Sequence, residues 1–338
     1  MARSIFVTRK GKPDVLQVRR ADDPVARDGE VVVDVKSSGI NFADIVARMG
    51  IYPAAPRPPF IPGLEAAGIV RQGNGGEFAQ GDRVVGFRMF GAQSDTVAFE
   101  KDYLFKIPEE MSFEEAAALP LNCLSAYHAL LNLANLKRGD VVLIHSAAGG
   151  VGTAACQLAL HHKATVIGVA GGRKKCDYLE ELGVARIIDR KEVDFAAQIK
   201  KDFPDGVDVI LDPVGGKTFK KNLKLLAPGG RIVAYGVADM ISYGHTNLFK
   251  LLKAVVTFPR VNVMRMMRSN FGVLGFDLAG MESKKTLLMD TFRNVLADYM
   301  VGVVKPRVTR IYEPEEVAEA HRYLQSGQSF GKLIINWN

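Results

Sequence analysis

The sequence predicts an α/β protein with two parts, a doubly wound parallel-sheet unit and a smaller β-rich unit. Short β-like runs cut by Gly, Pro and Asp turns fill Ile5 to about Phe105. Strand-like and helix-like segments then alternate from Val141 to Phe276, and a β pattern returns after Val301. Strands alternating with helices at this spacing need crossover connections, because neighbouring parallel strands cannot be joined by tight turns. With 338 residues the chain has room for two packed cores.

In the first part the strand candidates are VVVDVKSSG, AAGIV, DRVVGF and DTVAF. Between them, IYPAAPRPPFIPG carries five prolines from Ile51 to Pro62, too rigid for a helix interior and too poor in amide donors for a central strand. This loop is read as a wall or rim. At Ser112 the pattern becomes helical, with Ser112 and Glu115 spaced as a capping box.

The alternation that follows reads as strand 141–145, a helix from about Gly150, strand 165–170, a helix over Arg173 to Leu182, and strand RIIDR. Next come a helix over Asp194 to Lys201, strand 207–211, a helix over Lys217 to Leu226, and strands 231–236 and 272–276. Tyr243 to Asn270 is basic and Met-rich. It reads as packing on the domain cleft or on a subunit, with a surface-lying amphipathic segment as the alternative, although Pro259 interrupts it. The tail holds VVKPRVTRIY, a helix led by Glu313 to Glu316, and strand KLIIN, and is expected to rejoin the first part.

Composition excludes several classes. Hydrophobic residues make up 48% and charged residues 24%, without low-complexity bias, so fibrous and disordered chains are excluded. Cys123, Cys156 and Cys176 form no CxxC pair and are odd in number, which argues against a disulfide framework and for a reducing cytoplasm. No signal-peptide pattern opens the chain and no run of about 18 apolar residues occurs, so no transmembrane segment is expected. The net charge of +7 is spread along the chain without interleaved aromatics, so nucleic acid is not an expected partner.

The most informative segment is VVLIHSAAGGVGTAACQLAL, a buried-type strand that turns through glycines into a helix. On the G-x-G-x-x-G template Ala147 takes the first glycine position, Gly149 the second and Gly152 the third, with Gly150 additional. The amides of Ala148, Gly149, Gly150, Val151 and Gly152 then face a pyrophosphate at a helix N-terminus. A tight structural turn is the competing explanation. NAD sites place an acid at the end of the second strand, but here the residues are VAGGRKKCDY. Gly171 and Gly172 leave room, while Arg173, Lys174 and Arg190 supply positive charge for a 2′-phosphate, so the expected cofactor is NADPH. Cations at a helix start oppose the dipole and ask for an anion, although an ordinary solvated helix start would show the same residues.

With these residues in view, GINFADIVARMGIYP, PGLEAAGIV, GDRVVGF, LKRGDVVLIHSAAGGVG, DVILDPVGG and the closing GKLII follow the order of the zinc-free quinone oxidoreductases of the medium-chain dehydrogenase/reductase superfamily. The resemblance spans essentially the whole chain, and NFGVLGFDLAGM with the basic insert before it resembles the vesicle amine transport protein branch. It implies a GroES-like domain over 1–120 and 278–338 and a Rossmann domain over 121–277, with nicotinamide and substrate meeting in a cleft. It also implies a homodimer joined along the strand at Gly272 to Phe276, whose apolar edge would otherwise be an association hazard.

Zinc-bearing relatives place ligands at three positions that hold Asn41, Leu64 and, on our alignment, Leu121. Leucine cannot ligate zinc, so no metal is expected. His161 and His162 are adjacent rather than helically spaced, and His145 reads as a core histidine. Without a metal, carbonyl reduction loses its usual electrophile. Hydride transfer to an enone or quinone loses less, because hydrogen-bond donors stabilise the oxyanion that forms. The resemblance assigns Asn41 to orientation of nicotinamide and substrate, and Tyr52 to hydrogen-bond or proton donation, with a packing role for Tyr52 as the alternative. Asp44 is given a structural role, positioning backbone amides. Ser125, Gly236, Phe276 and Lys332 are implied near the cofactor.

The expected function is therefore an NADPH-dependent, zinc-independent oxidoreductase acting on a quinone or α,β-unsaturated carbonyl. The alternatives are an enoyl-thioester reductase and a cofactor-binding, membrane-associated trafficking protein with little turnover.

Overall fold

A computed structural model describes residues 1–73, 76–238 and 260–338. The chain divides into one unit of Met1–Leu124, Lys285–Ala297 and Lys305–Asn338, and another of Ser125–Lys284 and Asp298–Val304. The expected division after 120 falls after Leu124, within the helix Pro120–Tyr127, the one after 277 falls after Lys284, and Asp298–Val304, expected in the first part, groups with the second unit. No turn residue marks a boundary that lies inside a helix.

The first unit is built on a seven-stranded sheet in the order Val308–Tyr312, Lys332–Asn336, Glu30–Ile40, Glu65–Gln72, Arg83–Phe87 and Leu104–Lys106, with Thr96–Glu100 also paired to Glu30–Ile40. Val308–Tyr312 and Lys332–Asn336 are parallel, and the other pairings are antiparallel. The tail does rejoin the first part: Leu333 pairs with Ile40 and Ile334 with Gly39. Ala2–Val7 and Leu16–Ala21 form a separate antiparallel pair. Ile5, Val33, Val84, Phe99, Ile335 and Trp337 lie in its buried core. The proline loop holds no strand or helix of its own beyond a bridge from Phe60 to Val7.

Ser112 caps Phe113–Ala118 as expected, accepting from the Glu115 amide at 3.1 Å, and Pro120 opens the next helix, Pro120–Tyr127. A helix that the sequence reading lacked, Lys285–Met300, drives Phe292 between Phe87 and Phe105, with ring centroids 5.6 and 4.8 Å apart.

Among the described residues the second unit has six parallel strands in the order Arg186–Asp189, Thr165–Ala170, Val141–His145, Val207–Asp212, Leu226–Ala234 and Gly272–Gly275. Helices Gly150–His161, Arg173–Glu181, Phe195–Asp202 and Gly216–Asn222 connect its strands. Strands such as VVLIH and VDVIL are apolar throughout because a covered parallel sheet buries both faces. One expectation is corrected. The helix over Lys217 to Leu226 ends at Asn222, because Leu226 pairs with Val207 and opens the next strand. Most of the basic Met-rich segment, 243–259, lies outside the described residues. Its remainder contains the helix Val263–Ser269.

Candidate active site

The turn after Val141–His145 is tight because Ser146 adopts a left-handed backbone (φ 52°) without being glycine. The Gly149 amide donates to the Ser146 carbonyl at 2.8 Å, and Gly149 then opens the helix Gly150–His161. The first amides of a helix have no intrahelical acceptor. Here neither a capping side chain nor an acidic residue in the first turn competes for them. At Gly152 a Cβ would stand 2.3 Å from the Ser146 carbonyl oxygen and 2.7 Å from the Ala147 Cα, so only glycine lets the helix approach the turn. Ala148, Gly149, Gly150, Val151 and Gly152 are thus gathered at one helix N-terminus whose amides suit a diphosphate.

Beyond the second strand of this unit, the Gly172 amide donates to both oxygens of Asp189, at 2.9 and 3.0 Å, and the Lys191 amide donates to one of them at 2.9 Å. These backbone bonds hold the Asp189 carboxyl below its ordinary range. The Arg190 side chain lies where a Gly171 Cβ would meet its Nε at 3.1 Å, and Lys191 Nζ lies 3.5 Å from the corresponding point on Gly172. Burial pushes the Lys175 ammonium down to about 8, helped by the positive charges of Arg190 and Lys191. Cations thus crowd two glycines, an arrangement that suits a phosphate dianion. Arg173 turns elsewhere, pairing with Asp177 at 2.6 Å and Glu180 at 3.9 Å, and Lys174 is exposed.

Gly236 follows Leu226–Ala234, and a Cβ there would stand 2.5 Å from the Pro213 carbonyl oxygen. The Phe276 amide donates to Ala234 at 3.2 Å. Its ring stacks on Tyr235 at 5.8 Å and meets His128 edge-on at 4.9 Å. Ser125 is half-buried on Pro120–Tyr127. His145 is a core residue, its Nε2 2.9 Å from Asn222 Oδ1, while Asn222 in turn donates to Asp212 at 3.0 Å.

In the first unit Asn41 ends the strand Glu30–Ile40 and starts the helix Phe42–Arg48. Its Nδ2 donates to Glu65 Oε1 at 2.8 Å, and its Oδ1 accepts from Lys332 Nζ at 2.7 Å. Lys332 also pairs directly with Glu65. The second Glu65 oxygen accepts the Leu121 amide at 2.7 Å. Glu65 and Lys332 are 0% and 3% exposed, so the ion pair is closed off from water. Gly39 makes room for it, since a Cβ there would stand 2.4 Å from Glu65 Oε1. Asp44 does hold backbone amides, accepting from Asn41 at 2.8 Å and Gly63 at 2.9 Å. Burial nonetheless raises its carboxyl to about 6.

Tyr52 is half-buried on the core of this unit, edge-on to Phe90 with centroids 6.1 Å apart.

Residues 27–109 match the alcohol dehydrogenase GroES-like domain and residues 150–282 the zinc-binding dehydrogenase family. The synaptic vesicle membrane protein VAT-1 homolog of Danio rerio is 37% identical over 98% of this chain and 69% of its own length. The chain belongs to the medium-chain dehydrogenase/reductase superfamily. Among solved structures of this superfamily, Escherichia coli quinone oxidoreductase complexed with NADPH superposes with a TM-score of 0.87 at 30% identity, covering 99% of this chain and 100% of that one. CurK enoyl reductase superposes with a TM-score of 0.84 at 27% identity, covering 99% of each chain.

Asn41, Leu64 and Leu121 stand at the positions expected from the sequence to correspond to the zinc ligands of other members. Leu64 is a buried core residue, and Leu121 packs against the same core while its backbone amide donates to Glu65. With Asn41 as the third, these side chains do not suit a zinc ion. Among the described residues no three His, Cys, Asp or Glu side chains gather at a metal-binding spacing.

Sequence reasoning brought Asn41 and Lys332 forward separately and missed Glu65, which joins them. A signal was available: an acid inside the apolar run LEAAGIV is rarely buried unless a partner awaits it. Lys191 and the left-handed Ser146 carried no comparable signal.

Proposed function

We propose that this chain is an NADPH-dependent, zinc-independent oxidoreductase acting on quinones or α,β-unsaturated carbonyls. The observation that carries the reading is the turn at 146–152, a helix start that only Gly152 can close, together with the cations at Gly171 and Gly172. The turn fits a diphosphate and the cations fit a 2′-phosphate. The NADPH complex of the E. coli quinone oxidoreductase supports the same cofactor.

NADPH, when bound, supplies a hydride. Gly150, Val151 and Gly152 offer amides to its diphosphate from the turn that Ala148 and Gly149 shape, and Arg190, Lys191 and Lys175 offer charge to its 2′-phosphate. Asn41 orients the reacting groups through its amide. Tyr52 carries the one phenol assigned to donate a hydrogen bond or a proton to the substrate oxygen. Lys332 contributes by holding Asn41 rather than by reaching the cofactor. The buried free thiols of Cys123, Cys156 and Cys176 suit a reducing cytoplasm. Gly272–Gly275, the last strand of its sheet among the described residues, is the surface for a homodimer.

The test is fluorescence titration with NADPH, followed by NADPH oxidation assays with 1,4-benzoquinone, a small enone, and crotonyl and longer enoyl thioesters. Saturable micromolar binding and turnover of the first two are expected. Turnover confined to thioesters would make the protein an enoyl reductase, and absence of NADPH binding would remove the proposal.

A second reading, a membrane-associated protein with little turnover, is favoured by the helix Val263–Ser269. Val263, Met264 and Met267 are exposed there beside the exposed Arg260, Arg265 and Arg268. No described helix is long and apolar enough to cross a membrane. Co-sedimentation with anionic liposomes that is lost at high salt, without reductase turnover, would select this second reading.

A further inference from the structure

We infer that Glu65, acting with Lys332, is a positioning residue that fixes the polarity of the Asn41 amide, so that Asn41 presents an N–H donor to its ligand. The inference rests on the oxidoreductase reading and adds to it a residue and a direction of hydrogen bonding.

The two ends of an asparagine amide are chemically opposite, and their assignment follows from their neighbours. An ammonium has donors and no acceptor, so the group 2.7 Å from Lys332 Nζ must be the Asn41 oxygen. A carboxylate, when ionised, has acceptors and no donor, so the group 2.8 Å from Glu65 Oε1 must be the Asn41 nitrogen. A flipped amide would set two donors against each other and two acceptors against each other. The carboxylate is itself held. Its second oxygen takes the Leu121 amide at 2.7 Å, and the helix carrying Asn41 is tied down by Asp44. One Nδ2 hydrogen is then committed to Glu65, and the second remains for a ligand. Asn41 is half-buried while its two partners are closed off, so the side that stays accessible is its own.

The chemistry needs this sense. A quinone or enone oxygen, and the carboxamide oxygen of a nicotinamide, are acceptors that gain from a fixed N–H donor, the first of them most as negative charge develops on it. A freely rotating amide would present its oxygen part of the time and repel that charge.

The test is a double-mutant cycle on NADPH oxidation with 1,4-benzoquinone, using Glu65→Gln and Asn41→Ala. Glu65→Gln is expected to lower kcat about tenfold or more with a smaller change in KM, because misplacing a donor costs more in the transition state than in binding. In the Asn41→Ala background the same change is expected to cost less than about twofold. Equal losses in both backgrounds, or no loss in the single variant, would overturn the inference.

If Glu65→Gln does not fold, the neutral pair Glu65→Gln/Lys332→Met replaces it in the cycle with the same expectations. A second readout does not depend on turnover. In protein labelled with 15N-asparagine, with Asn41 assigned through Asn41→Ala, one Nδ2 proton is expected to be protected from exchange, and that protection to vanish in Glu65→Gln/Lys332→Met. Protection that persists without Glu65 would overturn the inference. If wild-type protein neither binds NADPH nor turns over while the protection depends on Glu65, the oxidoreductase reading fails and the polarity of Asn41 stands.

Discussion

Between Ser146 and Gly152, seven consecutive residues form a turn that presents the first backbone amides of a helix, and side chains matter mainly by being small. Around Asn41, the backbone delivers three side chains from positions 41, 65 and 332, and their charges and donor counts set what the group can do. A site made of backbone is specified locally and tolerates little added volume. A site made of buried side chains is specified by distant partners and tolerates little change of charge.

The sharpest way to break this contrast is Lys332→Met, which leaves Glu65 buried and unpaired. A loss of about 3–5 kcal/mol in denaturant unfolding is expected, and most of it should return in Glu65→Gln/Lys332→Met, because a neutral pair no longer has a buried charge to satisfy. If the double variant is no more stable than the single one, side-chain charge does not govern this region.

Next in size is the pH response of Asp44. Its folded carboxyl titrates near 6, above the unfolded value of 3.8, so the folded state holds the extra proton between those values. The stability this group contributes is fully present below about 3.8 and is lost as pH rises toward 6, by about 3 kcal/mol at most. Relative to Asp44→Asn, wild-type protein should therefore lose stability between pH 4 and 6. A constant difference between the two across that range would remove Asp44 as a buried titrating group.

Gly152→Ala sharpens the backbone half of the comparison. A Cβ 2.3 Å from the Ser146 carbonyl must push the helix off the turn, so a loss of about 1–3 kcal/mol is expected, with NADPH affinity falling further than stability alone explains. The smallest effect is at Lys175. As pH rises through about 8 this ammonium loses its proton, and NADPH binding should weaken a few-fold between pH 7 and 9 in wild-type protein and stay flat in Lys175→Met.

The same contrast explains what could be read in the chain before its structure. The glycine turn, the strand–helix alternation and the return of KLIIN to the first sheet were legible because each is written in consecutive residues whose periodicity or small size has one physical meaning. The helix Lys285–Met300 was not legible, because its reason lies in Phe87 and Phe105 nearly two hundred residues earlier. Leu226 was assigned to a helix because local spacing is blind to its pairing with Val207. Glu65 was passed over for the same reason. An isolated acid in an apolar run announces a partner without saying which cation, 267 residues away, will provide it.

Lys332–Asn336 is not an edge strand. It sits between Val308–Tyr312 and Glu30–Ile40, and it carries the cation for Glu65. During synthesis on the ribosome, the residues from Met1 to Leu124 are made long before that strand emerges, and until then their sheet is open on one side with an uncompensated acid in its interior. The whole of the second unit is translated in the interval, so its fold can form first. The first must wait in the cell as a partly built sheet, the stage at which a chaperone has most to protect.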